Sequence, residues 1–553
     1  MIASSDSGER DGSRVEQPPE AEFSAWQQVV ADLRDDEKTP LVRLLLQVIE
    51  QQAQRIGALE AEIARLKGGP KKPASNSRPS ALSKPAVAAS PDGKRPGSEK
   101  QSKTKDLPIH EEIPVPPKNL PEGSRLVRRD PYVVQDLIIR THNIRYMVET
   151  WKTPTGELIR GKLPAGIQGH FGHGLCSFVL QQHYAAHVPQ CRILEELRDF
   201  EVNISAGQVN HLVTENHDAF HTEKDSLLPT ALKAFTALSV DDSGAPHQGS
   251  YGSCLCICNE FFTSLHSSDT KERSKFLDVL RCGHPDYVLN DAAWKYVNEQ
   301  KLPAKIRWLF EADGAFVEQT FADASAWNGH LDRLKIDNPK HRQMLTEAAL
   351  LGSAITHGVS PNLGIVSDGS TIYALFVHGL CWVHQERNLA KLTPCGSDQC
   401  QALEAARKGV WNLYADLKAY RLAPTPTQAE TLRQRFDAIV DRTTSWPELN
   451  AALQRMADKK ADLLRVLDRP EMPLTTNEAE RAFRDWATKR KISAGTRSEV
   501  GKRCRDTFLS LKATCRKLGI RFMTYLRDRL AKEANIPLLS DLVRQKAASA
   551  ANI

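Results

Sequence analysis

Two short apolar runs, 234–240 and 363–367, each end in a carboxylate and then a turn: Asp241-Asp242-Ser243-Gly244 and Asp368-Gly369. Short apolar runs closed by Asp, Ser and Gly have the pattern of buried strands that stop at a sheet edge. Placed side by side, they would deliver their acids to one edge of a mixed sheet with helices packed on it. Asp241 and Asp242 compete for the inward position, because strand alternation lets only one of them face a common pocket. Residues 250–259 and 261–266 continue the strand pattern, broken at Asn259-Glu260, and 287–290 adds another run; a helix begins at 275.

A third acid lies far downstream. The stretch LTTNEAERAFR, 474–484, reads as a helix start: Thr475 and Glu478 have capping-box spacing, with Asn477 as the alternative cap. Ala479, Ala482, Phe483 and Trp486 share one apolar face at the 3.6-residue period. Glu480 stands at the edge of that face, with Arg484 one turn on and close enough to orient it. Taken singly, Glu480 is an ordinary partner for an arginine and each Asp an ordinary turn residue. Together, on two strand ends and a helix, they can form an oxygen pocket for Mg²⁺ or Mn²⁺. Two such ions could activate a water or 3′-hydroxyl and stabilise the leaving oxygen of a phosphodiester.

The surroundings suit that chemistry. Arg481, Arg484, Lys489, Arg490, Lys491 and Arg497 follow Glu480, and basic residues continue to Arg521, a one-sided charge expected for a nucleic-acid substrate. Cys381 and His384 stand three apart without a second pair, so structural support of the Asp368 strand fits them better than zinc. Cys254, Cys256 and Cys258 alternate on a strand and fit as small packed hydrophobes.

At 553 residues the chain exceeds what one core organises, so several domains are expected. Residues 1–38 are polar and read as disordered. Within 39–67, Val42, Leu45, Ile49, Gln52, Ile56, Leu59, Ile63 and Leu66 form an a/d heptad seam, a coiled coil suited to joining copies of the chain. Segment 68–108 is a basic Lys/Pro/Ser linker. Segment 109–168 reads as a small β-rich module without cysteines, with strand patterns at 132–139 and 143–151 and a turn at 153–156. Segment 169–228 reads as a helical, helix-turn-helix-like domain, its third helix capped by Ser205 and Gln208, where Gln208 and Asn210 could read base edges. Residues 229–545 carry the acids, with helix-rich insertions at about 302–355 and 399–468. No run of about 18 apolar residues occurs, and the N-terminus lacks the apolar core of a secretion signal, so no membrane association is expected.

In these motifs the chain resembles the insertion-sequence-66 group of transposases. The matching pieces are the heptad helix, the linker, ISAGQV, VDDSGAPHQGSYG, VSDGSTIY, CWVHQER and TTNEAERAFR, in order over roughly 40–530. The resemblance implies a multidomain protein with an α/β RNase H-like core. It also implies that Asp241, Asp368 and Glu480 are a metal-binding Asp-Asp-Glu triad with two Mg²⁺ or Mn²⁺ ions. Segment 399–468 resembles the helical insertion between the second Asp and the Glu. The group's usual Asp-Asn-Asn before the glutamate is here Thr475-Thr476-Asn477, and its cysteine-rich zinc module is replaced by 109–168, so zinc binding is not carried over. The expected partners are double-stranded DNA, both element terminal repeats and target, a second copy of the chain, and accessory proteins of the same element. The expected location is the bacterial cytoplasm, at the nucleoid. The competing readings are a catalytically inactive DNA-binding protein derived from a transposase and a coiled-coil scaffold, which leaves the three acids unexplained.

Overall fold

The computed structural model describes residues 107–117, 119, 121–164, 167, 169–312, 315–316 and 318–551. The expected polar N-terminus, the coiled coil at 39–67 and nearly all of the linker lie outside the described residues. The chain divides into two units, 1–136 and 137–553, and the described residues of the first form no helix or strand.

The expected β-rich module carries less structure than its alternation suggests. Residues 132–139 form no strand; among the described residues of 109–168 the regular structure is one hairpin of β1 (Thr150–Lys152) and β2 (Leu158–Arg160), closed by a turn in which Gly156 N–H donates to Thr153 O. Val134, Ile138 and Ile144 are exposed. Alternating apolar residues become a strand only when another layer covers them, and a lone two-stranded ribbon gains little.

Three helices follow where the apolar periodicity put them: α1 (His173–Leu180), α2 (Gln190–Asp199) and α3 (Ala206–Thr214). Val179, Ile193, Leu197, Val209 and Leu212 form their buried seam. The capping box at α3 is complete. Ser205 Oγ accepts the Gln208 N–H at 3.2 Å, and Gln208 Oε1 accepts the Ser205 N–H at 2.8 Å.

Helix α4 (Asp218–Ala234) leads into β3 (Ala237–His247), β4 (Ser250–Cys258) and β5 (Thr263–Ser268), an antiparallel meander. Helix α5 (Arg273–Leu280) precedes β6 (Tyr287–Leu289), which pairs with β7 (Gln319–Phe321) in a separate two-stranded sheet. The run at 287–290 is thus a strand but not part of the main sheet, and the described residues of 302–355 contribute three short strands besides helices, the longest helix being α6 (Pro339–Thr356).

Strands β8 (Gly364–Ser367) and β9 (Val377–Leu380) complete a five-stranded mixed sheet in the order β9-β8-β3-β4-β5, with β8 parallel to both neighbours. Helix α7 (Trp382–Ala390) then opens the expected helical insertion, α8 (Ser397–Tyr420), α9 (Pro426–Val440) and α10 (Pro447–Ala457). These pack around Leu413, Leu417, Phe436, Leu449 and Leu453, a core of their own that Trp382 joins.

The chain returns through α11 (Asn477–Ser493) and α12 (Glu499–Lys517). Ala479, Ala482, Phe483 and Trp486 of α11 pack on Ala245, Cys254, Cys256 and Cys258, so the three cysteines are indeed small apolar surface beneath a helix. Leu238, Val240, Leu255 and Ile257 point to the opposite face, into the larger core with Phe276 and Leu277. Thr496, between α11 and α12, closes onto the far end of β3: its N–H donates to Pro246 O and its carbonyl accepts the Gln248 N–H. The architecture is a mixed α/β one compatible with an RNase H-like core, and among the described residues no helix is long and apolar enough to cross a membrane.

Candidate active site

Strand register decides which acids can meet. Val366 of β8 lies beside Ser239 of β3, so two residues further Asp368 stands level with Asp241 on the neighbouring parallel strand. Asp241 pairs with Cys256 across β3–β4 and therefore faces α11, the helix that carries Glu480. Asp242 faces the other way. Its Oδ2 accepts the Tyr373 hydroxyl at 2.7 Å and lies 2.7 Å from Lys271 Nζ, which leaves Asp241 as the acid on the helix-covered face.

Each acid is held by local backbone. Asp241 Oδ1 accepts the Asp242 N–H at 2.9 Å, and Asp368 Oδ1 accepts the Ser370 N–H at 3.0 Å. The chain leaves β8 through Gly369 at φ 108°, a left-handed backbone that a side chain would strain. Burial pushes the Asp241 carboxyl up from 3.8 to about 6, and the adjacent Asp368 adds to the rise.

Glu480 lies in the first turn of α11, but the turn is built differently from the expected capping box. The helix starts at Asn477 after Thr476, with no side-chain cap; the Thr476 N–H instead donates to Cys381 Sγ at 3.4 Å. Thr475 is displaced from the cap because the preceding residues are tied to α7, where Trp382 N–H donates to Leu474 O. Two buried oxygens at this turn, Thr476 Oγ1 and Asn477 Oδ1, accept no hydrogen bond.

Arg484 is exposed, and Arg387 of α7 is the cation beside Glu480 instead. Arg387 Nη1 lies 3.1 Å and His384 Nε2 3.9 Å from Glu480 Oε1, while Arg387 Nη2 donates to Oε2 at 3.4 Å. No sequence spacing links 387 to 480, so this contact was invisible before the helices were placed. Cys381 and His384 do line this edge: Cys381 N–H donates to Ser367 O, tying α7 to the strand that ends in Asp368. The side-chain oxygens of Asp241, Asp368 and Glu480 do not all lie within 4.8 Å of one another, a closeness reached among the described residues by His284, Asp286 and His357.

The basic residues after Glu480 divide sharply. Arg481, Arg484, Lys491 and Arg497 are exposed. Lys489 is buried, its Nζ donating to His183 O at 2.9 Å, and desolvation pulls its ammonium down to about 8. Half-buried Arg490 donates to Gly244 O at 2.6 Å. Both were expected among the DNA-facing cations; they instead bind the helix to its neighbours. In the three-helix segment, Gln208 Oε1 is engaged in its capping box, which takes the acceptor half of a two-point base contact. Asn210 is exposed and accepts from Gln190 Nε2 at 3.2 Å.

Residues 360–503, spanning Asp368 and Glu480, match the model of a family described as the transposase IS66 family. A relative from Sinorhizobium fredii (strain NBRC 101917 / NGR234), the uncharacterized protein y4jO, is 38% identical over 328 residues, which cover 58% of this chain and 100% of that protein.

Proposed function

Because this chain belongs to the IS66 transposase family, we propose that it is a DNA transposase with an RNase H-like core whose metal-binding acids are Asp241, Asp368 and Glu480. The observation that carries this reading is the register of β3 and β8, which sets Asp241 and Asp368 level on the face that α11 covers. The residues fit divalent cations: burial and the neighbouring Asp368 make the Asp241 anion costly, a cost that a bound cation would offset. Two Mg²⁺ or Mn²⁺ ions bound there would supply a nucleophile at neutral pH and charge stabilisation at the leaving oxygen.

The chain's own residues hold the reactants. Asp241 and Asp368 are fixed by backbone N–H groups, so their carboxylates need no reordering to receive a cation. In the metal-free chain Arg387 and His384 hold Glu480, and Arg387 would compete with a cation for its carboxylate. Arg481, Arg484, Lys491 and Arg497 offer phosphate contacts that carry no sequence information, while Asn210 on α3 offers a base contact. The substrate is double-stranded DNA, cleaved at element ends and joined to a target through the freed 3′-hydroxyl. Residues 39–67 would join copies of the chain, and accessory proteins of the element could assist, in a bacterial cytoplasm.

The test is cleavage and strand transfer on DNA carrying the element's terminal repeats. Asp241→Asn, Asp368→Asn and Glu480→Gln should each abolish both steps while retaining DNA binding; wild-type rates in all three would overturn the assignment. A catalytically inactive DNA-binding protein is the second reading, favoured by the pairing of Glu480 with Arg387, and wild-type protein that binds but never cuts would select it.

A further inference from the structure

Away from the five-stranded sheet, the structure gathers a second set of ligating side chains on the small β6–β7 sheet. The turn after α5 runs through Cys282 and Gly283, at φ 54° and 85°, and so doubles back to place His284 and Asp286 just ahead of β6. His357 caps the C-terminus of α6. The rings of His284 and His357 stack face to face, centroids 3.5 Å apart and 3° from parallel. Asp286 reaches the same point: its Oδ1 and Oδ2 lie 3.0 and 2.9 Å from His357 Nε2, and Oδ1 accepts the Ser353 hydroxyl at 2.9 Å. One donor atom from each of the three residues lies within 4.8 Å of the other two.

The frame behind these donors is stiff. Helix α6 and β6 touch backbone to backbone at Gly352, where an added Cβ would stand 2.0 Å from Val288 O. Asn290 Nδ2 donates to Gly352 O across the same contact. Ser353 is one residue beyond this weld, and its hydroxyl fixes the carboxylate from behind, the outer-shell support that ligating carboxylates require.

We propose that His284, Asp286 and His357 bind a divalent transition-metal ion of the zinc class, separate from the ions of the cleavage site. A lone His–Asp hydrogen bond accounts for His357 and Asp286, and what it leaves over is the third donor within the same 4.8 Å. Ring lone pairs lie in the ring plane, so the exposed His284 ring turns out of its stack for both imidazoles to reach one ion. Two imidazoles and one carboxylate are a donor set chosen by Zn²⁺, Co²⁺ and Ni²⁺ and not by Mg²⁺, whose preference is for oxygen. Ligand bonds of about 2.0–2.2 Å put coordinated atoms roughly 3 Å apart, close to the observed His357–Asp286 separation. Coordination at His357 Nε2 replaces its hydrogen bond to Asp286 with bonds to the ion, a neutral ring keeping its proton on Nδ1. His284 is exposed, so one side of the ion stays open to water, and the ion would clamp the 281–286 turn to the end of α6.

The experiment loads the full chain with Zn²⁺ in the presence of excess Mg²⁺, removes free metal by gel filtration and measures retained zinc; Co²⁺ replaces Zn²⁺ in a parallel sample read by its visible absorption. The wild-type protein and Asp241→Asn should both retain one zinc per chain and show the same cobalt spectrum. His284→Ala, chosen because an exposed ring can be removed without threatening the fold, and His357→Gln should lose it. Their affinity should fall by more than the roughly 10–100-fold that loss of an outer-shell partner costs. Wild-type protein that retains no zinc, or retention undiminished in both histidine variants, would overturn the proposal. Cleavage need not change in either case, so the result stands apart from the transposase reading.

Discussion

Asp241→Asn should make the metal-free protein more stable at neutral and alkaline pH. In the folded chain burial and Asp368 raise the Asp241 carboxyl from 3.8 to about 6. Each pH unit between the two values is worth about 1.4 kcal/mol, giving about 3 kcal/mol at full effect. Solvent screening at a half-buried group trims this to roughly 1–3 kcal/mol. The sign follows from linkage: a raised carboxyl contributes stability that is fully present below 3.8 and is lost as the pH rises through about 6. Above that window the folded protein carries an anion that the unfolded chain accommodates more cheaply, and asparagine removes the penalty. Urea unfolding at about pH 8 without divalent ions should therefore show the variant ahead by that amount, and the gap should close near pH 4. Adding Mn²⁺ to about 100 times its dissociation constant should return roughly 2.7 kcal/mol to the wild type and less to the variant. A variant less stable than wild type at the higher pH, or a difference independent of pH, would show that Asp241 is a structural group and refute the reasoning.

Asp242→Ala should leave cleavage intact but cost about 1–2 kcal/mol in urea unfolding, since it removes the acceptor for Tyr373 and Lys271 on the far face of β3. Arg387→Gln should tighten Mn²⁺ binding measured by calorimetry by about fivefold, roughly 1 kcal/mol, because it removes the cation that competes for Glu480. Asn210→Ala should reduce discrimination between terminal-repeat and random DNA by about 1–3 kcal/mol, whereas the pair Lys491→Ala and Arg497→Ala should weaken binding to both and flatten its salt dependence. Deleting residues 40–67 should lower the solution mass by a whole multiple, as read by light scattering.

What the sequence made legible follows the range over which each signal acts. The choice between Asp241 and Asp242 rests on alternation, a property of adjacent residues, and the faces of β3 separate them as expected. The apolar face of α11, the capping box at Ser205 and the helices of the insertion are equally local and were readable. Long-range contacts were not. Arg387 reaches Glu480 through the packing of α7 against the start of α11, and nothing in either segment announces the other. Lys489 belongs to a basic run and reads as facing DNA, yet the His183 carbonyl from a distant helical segment takes its ammonium inside. The alternation at 132–139 is a sound strand pattern that no neighbouring layer exploits. The displaced cap at Thr475 has the same origin: Leu474 and Thr476 are claimed by Trp382 and Cys381 before a local box can form.

The closure of Thr496 onto the end of β3 also sets an order of events during synthesis. β3 emerges from the ribosome early, but its partner β8, the helix that covers it and the residue that zips its far end all come much later. Contacts this distant along the chain form slowly and only after long loops have closed. The insertion, with a separate core of its own, can fold as a unit while the sheet waits. A nascent or prematurely terminated chain that stops short of α11 would therefore hold two of its acids without the third. On the proposed transposase reading, DNA cleavage would wait until the C-terminal helices had been made.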